Sequence, residues 1–111
     1  MPITFSTPTV RTAIVTVALA GAIDLAAVPE LHDQVGALLA EDAVTGVLLD
    51  LSGVTFLDSS GIGALIGCQR RAHQAGKSLR IDNAHGLVRD VLNMTNVMPL
   101  LTGQTNPPAG Q

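Results

Sequence analysis

The sequence predicts an α/β fold, a single small domain in which helices are layered on a mixed sheet. Its 111 residues suit one domain with one core. Apolar spacing switches repeatedly between a period of two and a helical period, in the order strand, strand, helix, strand, helix, strand, helix. Strand-helix-strand crossovers join parallel strands, whereas the link between the first two strands is too short for a helix. The sheet is therefore expected to be mixed.

The first two predicted strands lie before residue 22. The opening residues contain two prolines, which is typical of an edge segment, and they predict a weak strand from Ile3 to Phe5. Residues 12–21 alternate and are rich in β-branched side chains, so they predict a second strand. We expect that strand to end near Ala20, broken by Gly21.

The apolar period becomes helical from Leu25 onwards. It predicts a first helix over about 26–40, with Asp24 as its N-cap and Pro29 in its first turn. The nearly continuous apolar run that follows predicts a buried strand over about 45–51. Such a run is typical of a central strand covered on both faces.

The remaining elements complete the domain. The pattern predicts a second helix over about 60–75 that ends at Gly76, and a short strand "LRID". A third helix is expected in "AHGLVRDVLNMT", followed by a last edge strand in "VMPLL". We therefore assign residues 1–103 to the domain and expect residues 104–111, which are polar and rich in proline, to form a disordered tail.

Composition excludes several functional classes. Cys68 is the only cysteine, so no intramolecular disulfide can form, and this favours the cytoplasm. The N-terminus lacks a basic segment followed by an apolar one, and no window approaches about 18 uninterrupted apolar residues. A net charge of −3 disfavours direct binding to nucleic acid. We expect a cytoplasmic protein that contacts neither membrane nor nucleic acid.

Charge is unevenly distributed along the chain. Residues 1–60 carry one arginine and seven acidic residues, a net charge of −6. Residues 61–111 carry five basic and two acidic residues, a net charge of +3. This asymmetry fits either helix faces that differ in charge or a polarised surface for partners.

The stretch "LDSSGIG", residues 57–63, holds the candidate site because it connects a buried strand with a helix. Ligands of open α/β sheets gather where strands end and helices begin, and the N-terminus of a helix favours anions. The simplest function for Asp58, Ser59 or Ser60 is to cap the helix. The alternative is that Ser59 accepts a phosphate from another protein, which adds about −1.5 to −2 charges there. We expect the Ser60 hydroxyl to turn toward the helix as a cap.

Other chemistries lack their sequence signatures. The glycines do not follow the dinucleotide-binding spacing, and neither a Walker motif nor a nucleophile elbow is present. No histidine or cysteine lies at metal-ligand spacing, so neither a cofactor nor a metal is expected. Gly63 and Gly67 share a helix face, which suits either close packing on the sheet or a flat docking surface.

The segments "LAGAIDLAAVPEL", "GVLLDLSGVTFLDSSGIGALIGCQRRAHQAGKSLRI" and "AHGLVRDVLNMTNVMPLL" resemble the STAS domain, in the branch of anti-sigma-factor antagonists. The resemblance covers about residues 8–102, and "VTFLDSSGIGAL" is its most specific part. It implies four or five strands in a mixed sheet, helices mainly on one side, and a binding role without catalysis. Family members commonly have a glutamate or arginine where this chain has Ala22, which puts the identity of the partner in doubt.

The resemblance also implies a switch. In the antagonist branch, the first serine after the aspartate, here Ser59, is phosphorylated by a partner that is both serine kinase and anti-sigma factor. The dephosphorylated antagonist binds that partner and frees the sigma factor, and a serine phosphatase restores the binding state. We expect the partner to contact Asp24, Asp58, Ser59, Ser60, Gly61 and Ile62. The alternative is a STAS scaffold or ligand sensor that binds a small anion or nucleotide without a phosphorylation cycle.

Overall fold

The computed structural model describes residues 2–5, 9–11 and 13–94. Its strands are β1 (Thr4–Phe5), β2 (Thr9–Arg11), β3 (Ile14–Ile23), β4 (Gly46–Leu57) and β5 (Ser78–Asp82). Its helices are α1 (Val28–Leu39), α2 (Ser59–Gln74) and α3 (Gly86–Met94), and a short 3-10 helix at Leu25–Ala27 precedes α1. The predicted closing strand and tail lie outside these residues. In the described part of the chain, no helix has the length and apolarity needed to cross a membrane.

The sheet is mixed, as predicted. Its strand order is β1-β3-β4-β5, and β2 also pairs with β3. β1 and β2 run antiparallel to β3, whereas the β3–β4 and β4–β5 pairs are parallel. β1 pairs with β3 around Ala20, and β2 pairs with it around Val15. Both short strands therefore share one edge of β3, in the segment where the prolines predicted an edge.

The core is aliphatic and lies between one face of the sheet and helices α1 and α2. Along β3, buried residues alternate with half-buried ones, and Ile14 is 40% exposed. On β4, Leu48 and Asp50 are only half-buried. The expectation of a central strand is confirmed, because β4 lies between β3 and β5. Helix α3 also packs against β4, and its Val88 and Leu92 are buried in the core, so the expectation that β4 is covered on both faces stays a prediction. The core residues of these elements include Val15, Val17, Leu19, Leu31, Val35, Val47, Leu49, Leu51, Leu65 and Cys68.

Both long strands extend beyond their predicted ends. β3 continues through Gly21, which adopts a φ of 93°, and ends at Ile23. The prediction that Gly21 breaks the strand was wrong, because pairing with β4 continues across it with a register shift beside it. β4 likewise runs on to Leu57. These extensions carry the polypeptide to the candidate site.

The helices follow the predicted pattern with one correction. α2 ends as expected, with Gly76 at a φ of 74° shortly after it. Asp24 occupies the N-cap position of the short 3-10 helix, where its side chain makes no capping hydrogen bond. α1 begins only at Val28, with Pro29 in its first turn as predicted.

Candidate functional site

The candidate site lies where β3 and β4 end side by side. Ile23, the last residue of β3, pairs with Leu57, the last residue of β4. Asp24 and Asp58 follow these residues directly, and the Asp58 N–H donates to the Ile23 carbonyl at 3.4 Å. The two aspartates that sequence reasoning singled out, 34 positions apart, therefore leave the sheet from adjacent strands.

Irregular pairing between β3 and β4 changes the direction of the last residues of β4. Ala18 pairs with Asp50, Ala20 with Gly53, and Ala22 with Phe56, so β4 gains two residues on β3 along this stretch. Such bulges bend a strand and re-aim side chains, and they are frequent beside functional sites. Here Phe56 is 43% exposed, while Leu57 remains buried in the core.

Asp58 caps α2. Its backbone is extended, and its carboxylate accepts a hydrogen bond from the Gly61 N–H at 2.9 Å. Its carbonyl accepts from the Ile62 N–H at 2.9 Å, the first bond of the helix. Asp58, one of the three candidate caps named from the sequence, is therefore confirmed as the N-cap. The expectation that the Ser60 hydroxyl caps the helix was wrong, because Ser60 already lies within α2.

Gly61 pins the first turn of α2 to the sheet. A Cβ at this position would collide with the Ile23 carbonyl oxygen, and it would lie 2.7 Å from Leu57 Cδ1. Only glycine permits this approach of helix backbone to strand backbone. Gly61 and Ile62 are both buried, so we revise their expected role from partner contact to support of the residues beside them.

The exposed part of this region combines negative charge, a hydroxyl and apolar surface. Ser59 is exposed at the first position of α2, whereas Ser60 is half-buried. Leu25 is 71% exposed and Phe56 is 43% exposed. Together with the half-buried Asp24 and Asp58 they form a surface that we call the acidic end: Asp24, Leu25, Phe56, Asp58 and Ser59. Sequence reasoning missed Leu25 and Phe56, although Leu25 stands directly after Asp24, at the point where the helical period begins.

The glycines farther along α2 do not pack on the sheet. At Gly63, no described atom lies within 4 Å of an added Cβ, and the residue is exposed. At Gly67, the nearest such atom is His32 Nε2 at 3.8 Å. Close packing on the sheet therefore belongs to Gly61, and Gly63 leaves an open strip on the surface of α2.

Burial and hydrogen bonds within the fold shift the pKa values of Cys68 and Asp50. Burial raises the pKa of the Cys68 thiol to about 11, so this thiol stays protonated at neutral pH. Hydrogen bonds from Asn83 and from the Ser52 N–H lower the pKa of Asp50. Within residues 2–5, 9–11 and 13–94, no three His, Cys, Asp or Glu side chains form a group that could hold a metal ion.

The parallel strands, the capped α2 and the paired aspartate turns are the features of a small α/β domain of the STAS type. The chain matches the family model described as "Mlab, STAS domain" over residues 9–102 and belongs to this family.

Individual relatives agree with that assignment. The chain is similar to an anti-sigma F factor antagonist of Lysinibacillus sphaericus, at 28% identity over 86% of this chain and 81% of the relative. It is also similar to the solved structure of the anti-sigma factor antagonist SpoIIAA in its unphosphorylated form. There the TM-score is 0.74 at 25% identity, over 86% of this chain and 84% of the other. An anti-sigma factor antagonist from Mycobacterium paratuberculosis shares the fold, with a TM-score of 0.75 at 23% identity over 89% and 82%.

Proposed function

We propose that this protein is an anti-sigma-factor antagonist switched by phosphorylation of Ser59. In its unmodified form it binds an anti-sigma factor that is also a serine kinase, and the bound sigma factor is released. The kinase phosphorylates Ser59 and thereby ends the interaction, and a serine phosphatase reverses the change. The domain itself is a binding protein of the cytoplasm and catalyses no reaction.

The observation that carries the proposal is the position of Ser59 on a rigid support. Its side chain is exposed at the first position of α2, while the capping bond of Asp58 and the contact of Gly61 with Ile23 fix the turn beneath it. A kinase can therefore reach the hydroxyl without unfolding the helix. The unphosphorylated state named for the similar SpoIIAA structure supports a modification of this kind.

A phosphate at Ser59 acts through local charge and bulk. It brings about −1.5 to −2 charges to a surface that already holds Asp24 and Asp58. The N-terminal end of α2 offsets part of this charge, so the fold tolerates the group. A partner that packs on Leu25 and Phe56 would instead have to bury the new charge, which is costly, or would be repelled by it. Binding is thus lost without a conformational change.

The experiment compares Ser59→Ala with the matched control Ser60→Ala. Each variant is incubated with ATP and the host's anti-sigma kinase, and phosphate incorporation and affinity are measured. We expect phosphorylation of the wild type and Ser60→Ala, but none of Ser59→Ala, which should keep its affinity. Ser59→Asp should bind at least about tenfold more weakly, a cost of about 1.4 kcal/mol.

Two results would contradict this proposal. One is phosphorylation of Ser60 alone, and the other is unchanged affinity after complete phosphorylation of Ser59. Saturable nucleotide binding by the isolated chain, with no phosphate transferred, would favour the ligand-sensing STAS domain instead.

A further inference from the structure

A second surface lies toward the other end of α2, where its C-terminal half runs beside β5. A groove of about 690 Å³ lies between these two elements. Its volume falls within the range of about 300–1,000 Å³ that is usual for ligand-binding clefts. The partly buried Ile66 contributes apolar surface to it, whereas Leu79, which is 2% exposed, belongs to the core beneath it. We call this feature the basic groove, because its lining also includes Arg70, His73, Lys77 and Arg80.

The charge in the groove has one sign. None of its described lining residues is acidic, although the whole chain carries a net charge of −3. Lys77 is half-buried, and its ammonium donates to the carbonyls of Leu39 at 2.8 Å and Glu41 at 2.6 Å. This ammonium is therefore already bonded within the protein. Arg70 and Arg80 are exposed, one on the helix and one on the strand. They are the fixed charges that a ligand would meet.

The lining selects for a ligand with two properties. Arg70 and Arg80 favour negative charge, while the partly buried Ile66 and the aliphatic stems of the two arginines favour apolar groups. A simple inorganic anion offers only the first property. A protein segment that alternates acidic and apolar side chains offers both.

An open path leads from the acidic end to this groove. Ser59, Gly63, Ile66 and Arg70 follow one another at helical spacing on one face of α2. At 1.5 Å per residue, Ser59 and Arg70 are about 16 Å apart along the helix axis. Gly63 adds no side chain to this path. An elongated protein element can therefore lie along α2 and end in the groove.

We propose that the basic groove binds an acidic segment of a partner protein. Carboxylates of the segment lie beside Arg70 and Arg80, and its apolar side chains rest on Ile66 and on the aliphatic stems of the arginines. This interaction does not depend on modification of Ser59, so it holds or fails separately from the switch proposed above.

The test is an NMR titration of the isotope-labelled full chain with a short, capped peptide of alternating glutamate and leucine. A lysine-leucine peptide of the same length is the control ligand. We expect amide shifts centred on Ile66, Arg70, His73 and Leu79 with the acidic peptide alone. Raising the ionic strength from about 0.01 M to about 1 M shortens the Debye length from about 30 Å to about 3 Å and should weaken binding.

Charge-reversal variants locate the site. Arg70→Glu combined with Arg80→Glu should weaken peptide binding by at least about tenfold, since like charges then face the carboxylates. Each single reversal, Arg70→Glu or Arg80→Glu, is measured as well. Arg89→Glu is the matched control for these single variants, because it makes the same charge change at an exposed position of α3 outside the groove, and it should bind as the wild type does. Thermal unfolding checks that each variant is folded. If the double reversal unfolds, Arg70→Gln with Arg80→Gln replaces it and should weaken binding in the same direction.

Three results would overturn the inference. The first is equal binding of the peptide by the groove variant and the wild type. The second is displacement of the peptide by inorganic pyrophosphate at equal concentration, which would indicate a site for small anions. The third is groove shifts that depend on protein concentration without peptide, which would identify a second copy of the chain as the occupant.

Discussion

The two ends of α2 differ in packing and in charge. At the first turn, Gly61 touches the backbone of β3 and Asp58 caps the helix, beside a surface that carries Asp24. Toward the other end, a groove lined by Arg70 and Arg80 lies between the helix and β5. One helix thus presents a rigid negative surface and an open positive one. These two surfaces account for part of the charge asymmetry along the sequence, since Asp24 and Asp58 lie at one of them and Arg70 and Arg80 at the other.

The difference indicates how each surface can work. A modification switches binding most reliably where the support does not yield, because the added charge then cannot be relieved by local movement. An open groove can instead accept segments of differing sequence, provided that their charge is suitable. The largest effect expected from this contrast is on the stability of the protein, through the packing of α2.

Gly61→Ala should destabilise the protein strongly, whereas Gly63→Ala should not. The new Cβ at position 61 collides with the Ile23 carbonyl, and we expect a loss of about 3 kcal/mol or more. At position 63 the space is open, and alanine should stabilise the helix by about 0.5–1 kcal/mol. Urea unfolding of both variants measures the difference. Equal stabilities would contradict the close contact at the first turn.

A smaller difference in stability is expected between variants of the two aspartates of the acidic end. Asp58→Ala removes the hydrogen bond to the Gly61 N–H and should cost about 1 kcal/mol. Asp24→Ala removes no capping bond, so we expect a change within about 0.5 kcal/mol. Thermal unfolding at neutral pH compares them. A larger loss for Asp24→Ala than for Asp58→Ala would show that the capping roles are assigned the wrong way round.

The smallest effect concerns Asp50, a carboxylate whose bonds are structural. Its pKa is lowered from the ordinary value of 3.8 by Asn83 and the Ser52 N–H. A carboxylate whose pKa is lowered by folding stabilises the protein at pH values above its ordinary pKa. This stabilisation is lost as the pH falls through the lower pKa of the folded state. Asp50→Asn should therefore flatten the loss of stability that begins below about pH 5 and continues below the ordinary pKa of 3.8. Because the carboxylate is only half-buried and solvent screens its charge, the difference should stay below about 1 kcal/mol.

Acid unfolding curves of Asp50→Asn and the wild type provide the measurement. Asp82→Asn on the neighbouring strand is the control for loss of a single negative charge. Curves of wild type and Asp50→Asn that run parallel over this pH range would show that the hydrogen bonds of Asp50 do not stabilise the fold.

Sequence reasoning predicted the elements better than their ends. Apolar period identified every helix and parallel strand, because each buries one face against the same core. It stopped β3 at Gly21, since the local pattern does not include the hydrogen bonds that β4 supplies across that glycine. It also expected the Ser60 hydroxyl to cap the helix, and this was wrong because capping depends on where the backbone leaves its extended conformation, which is at Asp58.

The candidate site was predictable in part. The apolar pattern predicted Asp24 and Asp58 at the starts of two helices, and the resemblance to the STAS family implied that both belong to one surface. The structure places the strands before them side by side. The exposure of Leu25 and Phe56 could not be read from composition, because it depends on the bulges of β4 and on the turn after β3. The basic groove was equally hidden, since Arg70 and Arg80 come from a helix and a strand that meet only in the fold.

The most direct test of the switch is intact-protein mass spectrometry of the chain purified from its native host, with fragmentation across residues 44–70. Binding to the co-purifying kinase is measured before and after phosphatase treatment. We predict one phosphate on Ser59 whose removal restores binding. A chain that stays unmodified under every growth condition, or one whose phosphate lies elsewhere and leaves binding unchanged, would contradict the proposed switch.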